Sequence, residues 1–403
     1  MIQHTDIQAK RQTSFVRTCP LTPLSFLCLL TFLIPFSAPA SSQTLPLSDS
    51  ATASVITCGP GNDFYLAFGH SAIRICDPSQ GIDHVYNYGT FDFDTPNFYL
   101  KFAQGQLNYC LSRSPMNLFM ATYDYERRAV WEQPLNLTRQ EVNNLFIMLE
   151  WNYMPDNRYY RYDFFRDNCA TRVRDMVEAA CGKQKATTGE CDTKSYRKHV
   201  HEAAAGGCLE WWTLGVDLLL GLRTDLDRTV SEAMFYPMVM MGIYDNATRD
   251  GQPLVSGNTQ LLQDTRPPLR RSFPPIVVFA LLCVAAALLT WKHLWPRWAD
   301  RLLFFLAGIV GLFLLYMWLG TSHWCTKWNL NILWASPLLI LIAIRLERSP
   351  RWALWLQEGC FAVAAVWVAI CGLSPALLPL ILTLALRVAC LIPRTPQQRQ
   401  QRH

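Results

Sequence analysis

The sequence predicts an α+β soluble domain followed by an all-α membrane domain of about five transmembrane helices. Three observations lead there. From Pro275 onward the 403-residue chain is mostly apolar. Residues 41–272 instead have the composition of an ordinary soluble domain, large enough for its own core. Within that domain a strand-rich stretch precedes helices whose caps are legible.

The apolar part divides into stretches at roughly 275–291, 302–320, 331–345, 353–373 and 376–392. Most approach the ~20 residues that cross ~30 Å of hydrocarbon, and 331–345 is short. Residues 273–403 carry 11 Lys/Arg against 3 Asp/Glu, whereas residues 41–272 carry 22 against 27. The basic excess therefore sits beside apolar segments, where a membrane protein keeps its cytoplasmic anchors, and it argues for no nucleic-acid partner. With the soluble domain outside, the inward segments hold Lys292, Arg297 and Arg301, then Arg345, Arg348 and Arg351, then Arg394, Arg399 and Arg402. The outward loops, near Lys327 and Ser374, hold one lysine. Positive charge is inside at every turn. At the start, Lys10, Arg11 and Arg17 precede "LSFLCLLTFLIPF" and then "SAPASSQ". That is the order of a secretory signal, with Ala38 and Ala40 suiting cleavage; an uncleaved anchor helix would export the next domain equally well. The expected division is 1–40 signal peptide, 41–272 exported domain and 273–403 membrane domain, joined by the extended hinge "DTRPPLRRSFPP".

In the exported domain, "YLAFGHSAIRIC" and "DHVYNYGTFDF" have strand composition with "DPSQG" between them, which predicts a hairpin. "TRQEVNNLFIMLEWNY" predicts a helix, with Thr138 and Glu141 as a capping box and Val142, Leu145, Phe146 and Leu149 as its apolar face. "NCATRVRDMVEAACG" predicts another, capped by Asp167 or Asn168, with Ala170, Val173, Val177 and Ala180 inward and Gly182 as the stop. "FYPMVMMGIY" (235–244) reads as core, with an adaptable groove for acyl chains as the alternative.

Seven cysteines fall in the exported domain: Cys58, Cys76, Cys110, Cys169, Cys181, Cys191 and Cys208. An odd number in an oxidising compartment leaves one thiol free, and Cys181–Cys191 is the easiest local pairing. No C-x-x-C and no His pair at i, i+4 is present, so neither a metal nor another cofactor is expected. Cys169 is the thiol expected to stay unpaired. It opens a helix, where the partial positive charge of the N-terminus favours a thiolate, and Arg172 and Arg174 add to that field. A disulfide or a buried structural thiol is the plainer alternative. A thiol nucleophile needs an imidazole to take and return its proton. His70, among small residues at the start of a strand, fits best; His199 and His201 read as solvated surface. His84, Asp83 or Asn87 on the next strand could orient His70.

A histidine opening a strand, followed about a hundred residues later by "NC" at a helix start, is similar to the circularly permuted papain-like fold, which lecithin:retinol acyltransferase-like proteins share. More closely, "GHSAIRICDP", "DHVYNYGTFDF", "NFYLKFAQGQLNY" and "YYRYDFFRDNCATRVRD" resemble the periplasmic domain of Lnb-type lipoprotein N-acyltransferases of Bacteroidota, and "TSHWCTKWNLNILWASPLLI" resembles their membrane half. The resemblance implies a bacterial inner-membrane, multi-pass enzyme facing the periplasm. Cys169 and His70 would be its catalytic pair, with Asn87 or Asp83 as third member. His323, Asn168, Tyr88 and Arg172 are the candidate substrate contacts. The implied partners are a phospholipid acyl donor, a diacylated lipoprotein acceptor and the bilayer. A papain-type peptidoglycan hydrolase or amidase would use the same pair with water as acceptor, and a non-catalytic membrane scaffold would use Cys169 only as a disulfide partner.

Overall fold

The computed structural model describes residues 46–63, 66–183, 185–186, 194–205, 210–267 and 273–392. The expected signal segment, Cys191, Cys208 (and with them the Cys181–Cys191 pairing), the middle of the hinge (268–272) and the three C-terminal arginines lie outside the described residues. The architecture is α+β, as expected. The first two-thirds is built on strands β1 (Thr52–Cys58), β2 (His70–Asp77), β3 (Ile82–Thr90), β4 (Asn108–Pro115), β5 (Val130–Pro134) and β6 (Tyr159–Arg161). Short β7 (Lys185–Ala186), β8 (Ala247–Arg249) and β9 (Gln252–Pro253) pair separately, and β10 (Thr259–Leu262) returns to the main sheet. That sheet has the antiparallel order β10-β5-β1-β2-β3-β4-β6.

The helices of this part are α1 (Phe98–Gln104), α2 (Met116–Tyr125), α3 (Arg139–Tyr153), α4 (Cys169–Cys181), α5 (Tyr196–Ala205), α6 (Glu210–Leu219), α7 (Val230–Ala233) and α8 (Pro237–Asn246). Helices α3, α4 and α8 share a core with one sheet face through Val55, Ile73, Leu145, Val173 and Met240. Helix α2 packs on the other face against Ile56, Ala72 and Val85. The predicted caps are present: Thr138 and Glu141 close a reciprocal box on α3, and Asn168, not Asp167, caps α4. Met240 and Tyr244 are buried, so 235–244 is core. The predicted hairpin forms, but "FDF" (91–93) leaves the sheet after Thr90.

Beyond Pro275 come α9 (Pro275–Trp291), α10 (Arg297–Leu319), α11 (Asn331–Trp334), α12 (Leu338–Arg345), α13 (Arg351–Cys371) and α14 (Leu377–Ala389). Among the described residues, α10 and α13 are long and apolar enough to cross a membrane by themselves. The stretch expected as a continuous third helix is broken between Trp334 and Leu338. Pro337 cannot continue a helix, and the backbone at Ala335 presses onto Gly311 of α10, where any side chain would overlap the carbonyl. Gln357 of α13 donates to the Leu333 carbonyl freed by the break (2.9 Å), so the irregular backbone is satisfied inside protein.

The two halves are joined by buried polar bonds. Arg197 on α5 pairs with Asp217 on α6 (2.8 Å) and with Asp225 (2.5 Å), and all three side chains are inaccessible to water or nearly so. Asp217 also meets His201 (2.8 Å) and the backbone N–H of Ser374, between α13 and α14 (2.7 Å). Asn331 and Asn329 donate to the carbonyls of Asp217 and Leu218. His201 is thus a network member and His199 is buried, so neither is the solvated residue that their polar surroundings suggested. Removing Arg197 would strand two aspartates in a dry place. Arg197→Ala is expected to destabilise the protein by about 3–5 kcal/mol, seen as a lowered midpoint of thermal unfolding in lipid nanodiscs.

Candidate functional site

The capping box that starts α4 also fixes the thiol. Asn168 accepts from the Thr171 N–H (2.9 Å), Thr171 accepts from the Asn168 N–H (2.8 Å), and the Asn168 amide donates to the Phe164 and Phe235 carbonyls. Cys169, the first helical residue, is buried and is a free thiol. Cys58, Cys76 and Cys110 are free as well, so the expectation that Cys169 alone stays unpaired is corrected among the described residues. Its sulfur is met by backbone N–H groups of Ser71, Ala170 and Cys169 itself. Ser71 is the neighbour of His70, so strand β2 and the start of α4 bring the two predicted residues to the same end of the sheet. Gly89 on β3 adopts φ +89°, a conformation that favours glycine, and stands beside the thiol: a Cβ there would lie 3.6 Å from Cys169 Cβ and 3.4 Å from the Tyr162 ring.

His70 is held from the other side. Its Nε2 lies 3.3 Å from Asn87 Oδ1. The imidazole lies opposite Cys58 and opens onto a cavity of about 300 Å³ lined by Asn87, Thr90, Ser112, Leu118 and Tyr123, which Cys169 does not line. The imidazole's hydrogen bond in this structure is to Asn87, not to the sulfur; such contacts often tighten only in a substrate complex.

Burial sets the electrostatics. It pushes the Cys169 thiol above its ordinary value, and the three N–H groups recover only part of that. The thiolate expected from the helix N-terminus is therefore corrected: desolvation outweighs the dipole. Burial also lowers His70 to about 4, helped by the Arg128 charge and opposed by the Asn87 bond. At neutral pH the pair is a thiol and a neutral imidazole.

The other expected site residues separate clearly. Asp83 stands opposite Cys76, at the far end of the hairpin from His70, and pairs with Arg74 (2.7 Å). It is too distant along β3 to orient the ring, which leaves Asn87. His84 faces Ile75 and is partly exposed. Tyr88 is buried in the core. Arg172 forms an ion pair with Asp167 and stacks over Tyr160 (4.0 Å). Asn168 and Tyr88 are thus buried beside the Cys169 end of α4, and Arg172 is partly exposed there. His323 bonds the Phe102 carbonyl (3.1 Å) and so fastens α1.

One group the sequence did not reveal is Tyr160. Its hydroxyl is buried without a hydrogen-bond partner and lies 3.9 Å from the Cβ position of Gly89, within the field of Cys169. Burial raises it, so it stays protonated and can donate. Its only trace was the aromatic run "YYRYDFF" ahead of "NC". Among the described residues no His, Cys, Asp and Glu side chains cluster as metal ligands.

The family model for the Lnb N-terminal periplasmic domain matches residues 43–202, and that for the Lnb transmembrane domain matches residues 268–399. Together they cover more than half of the chain. The chain belongs to the Lnb family. It is a membrane protein with a periplasmic domain, and both His70 and Cys169 lie in the Lnb periplasmic match. No curated protein and no solved structure matches significantly. In this Lnb-type protein, alkylation of Cys169 by iodoacetamide is expected to rise with pH around a midpoint above the ordinary thiol value of 9.0, measured by peptide mass spectrometry from pH 6 to about 10.5.

Proposed function

We propose that this Lnb-type protein is a thiol-dependent lipoprotein N-acyltransferase of the bacterial inner membrane, with a permuted papain-like domain on the periplasmic side of five membrane passes. The observation that carries the reading is the buried free thiol at the start of α4, beside Ser71 N–H, with His70 fixed by Asn87 at the same sheet end. Burial suits a covalent acyl intermediate that water must not reach. The positive-inside pattern and the Lnb transmembrane match support the placement at a membrane.

As the Cys169 sulfur attacks an ester carbonyl of a phospholipid, His70 Nδ1 takes the thiol proton, because the resting pair is neutral. The tetrahedral oxyanion is held by the Cys169 N–H and the Tyr160 hydroxyl. Collapse breaks the ester C–O bond, and His70 returns the proton to the leaving lysophospholipid. The α-amine of a diacylated lipoprotein then attacks the thioester carbonyl, and the C–S bond breaks as the amide forms. His70 moves the amine proton to the departing sulfur, restoring the thiol. The cavity beside His70 and Asn87 is where this mechanism seats the amine. No cofactor is required.

With phospholipid vesicles and a diacylated lipopeptide, the expected product is a lipopeptide heavier by one acyl chain, with one lysophospholipid per transfer. Cys169→Ala abolishes it, and Tyr160→Phe lowers kcat by about 10²–10³-fold. Full transfer by Cys169→Ala ends the nucleophile assignment; free fatty acid in place of acylated peptide makes the protein a hydrolase. With His70 at about 4, the base form persists through mildly acidic pH. Activity is expected to be lost only as pH falls through that value, provided the fold survives, which a kcat/KM profile reads.

A further inference from the structure

Helix α1 contains the sequence "FYLKFAQ" and buries none of its residues. Tyr99, Leu100 and Phe102 are exposed, as is Phe93 just before it (80, 55, 44 and 59 %). Seven residues cannot hold a helix by propensity alone. This one is fastened at its C-terminal end to the outer end of α10: Gln104 Nε2 to Tyr316 Oη (3.2 Å), Ser322 N–H to the Gln104 carbonyl (2.9 Å) and His323 Nε2 to the Phe102 carbonyl (3.1 Å). Along α10, Phe305, Ile309, Leu312, Phe313 and Tyr316 form an exposed apolar stripe leading to that fastening point. The exposed face of α1 thus continues the lipid-facing surface of a membrane helix. Aromatic rings are the side chains that settle at this depth.

The rings do not stop at α1. Phe98 meets Phe91 (5.8 Å), Phe91 meets Tyr109 (5.2 Å), and Tyr109 stacks on Tyr162 (4.4 Å). Tyr162 in turn lies beside Gly89, where an added Cβ would be 3.4 Å from the Tyr162 ring and 3.6 Å from Cys169 Cβ. A row of ring faces therefore runs from the exposed helix to the nucleophile.

We propose that α1 and the preceding loop lie in the outer-leaflet interface, and that the row Phe98–Phe91–Tyr109–Tyr162 guides the ester of a bilayer phospholipid to Cys169. The docking surface stands on the structure alone; only the destination of the route rests on the acyl-transfer reading. The partner is a lipid surface, because the patch is continuous with the apolar face of α10; its charged side chains are Lys101 on the helix and Asp92 and Asp94 in the loop, which can stay on the water side of the interface.

The test uses the full chain in phospholipid nanodiscs, carrying Cys169→Ser so that catalysis plays no part. A photoreactive benzoylphenylalanine replaces Tyr99 and, in a second protein, the lipid-facing Phe313. Phospholipid adducts at both positions, found by mass spectrometry after illumination, are the expected result. Adducts at 313 with none at 99 overturn the docking surface. In the Cys169 protein, Leu100→Asp is expected to raise KM for vesicle phospholipid about tenfold with little change in kcat; an unchanged KM overturns the route. Adducts at 99 without any transfer by the Cys169 protein leave α1 a membrane contact and remove the acyl-transfer reading instead.

Discussion

The carboxylate of Asp217 is the fixed point of the molecule. It has no exposure to water, so every lone pair must be used: Arg197 and His201 share one oxygen, and the Ser374 N–H takes the other. In a dry setting such a cluster has no half-made state of comparable energy, because each missing partner leaves a desolvated charge. It draws α5, α6 and the α13–α14 loop to a single geometry. Asn329 and Asn331 extend the same bonding to the broken helix. The periplasmic domain is therefore mounted on the transmembrane domain in a single arrangement, which gives the sheet end beside Cys169 a set height over it.

A second consequence of desolvation governs the site. A helix N-terminus attracts negative charge by a few tenths to about 1 kcal/mol in ordinary settings. At Cys169 that attraction, even with the Ser71 N–H added, is smaller than the cost of holding an anion away from water. The same burial keeps His70 neutral. Storing the site as an uncharged pair has a chemical meaning on the proposed reading. Charge develops only when a carbonyl carbon accepts the sulfur, so proton transfer and bond formation are coupled, and an empty site holds no reactive thiolate.

What the sequence disclosed was local. The α3 and α4 caps depend on side chains three residues apart and on an apolar period, and both formed with the expected buried faces. His70 and Cys169 were legible because one opens a strand and the other a helix. The third member was undecided between Asp83 and Asn87 because the choice depends on hairpin register. With Cys76 opposite Asp83, Asn87 comes within reach of His70 and Asp83 goes to Arg74. Tyr160 was hidden for a similar reason: the pairing of Tyr109 with Tyr160 carries it to Cys169, and no spacing in the sequence encodes that edge contact. His201 looked solvated because its partner, Asp217, is sixteen residues away on another helix. The break at Pro337 was visible as a proline, but its satisfaction by Gln357 was not.

On the acyl-transfer reading, burial of the thiol imposes a common requirement on both substrates. A thioester beside His70 lasts only if water is slower to arrive than the amine, and a lipid ester reaches a buried sulfur only if its chain never has to cross water. An opening to bulk solvent would fail both conditions, and an entrance at the lipid surface meets both. Gly89 fits this scheme: the space that a side chain there would fill lies between the Tyr162 ring, the Tyr160 hydroxyl and Cys169. On the proposed reading that space is where the carbonyl carbon and its oxyanion must sit, so the missing side chain is as much part of the chemistry as the thiol.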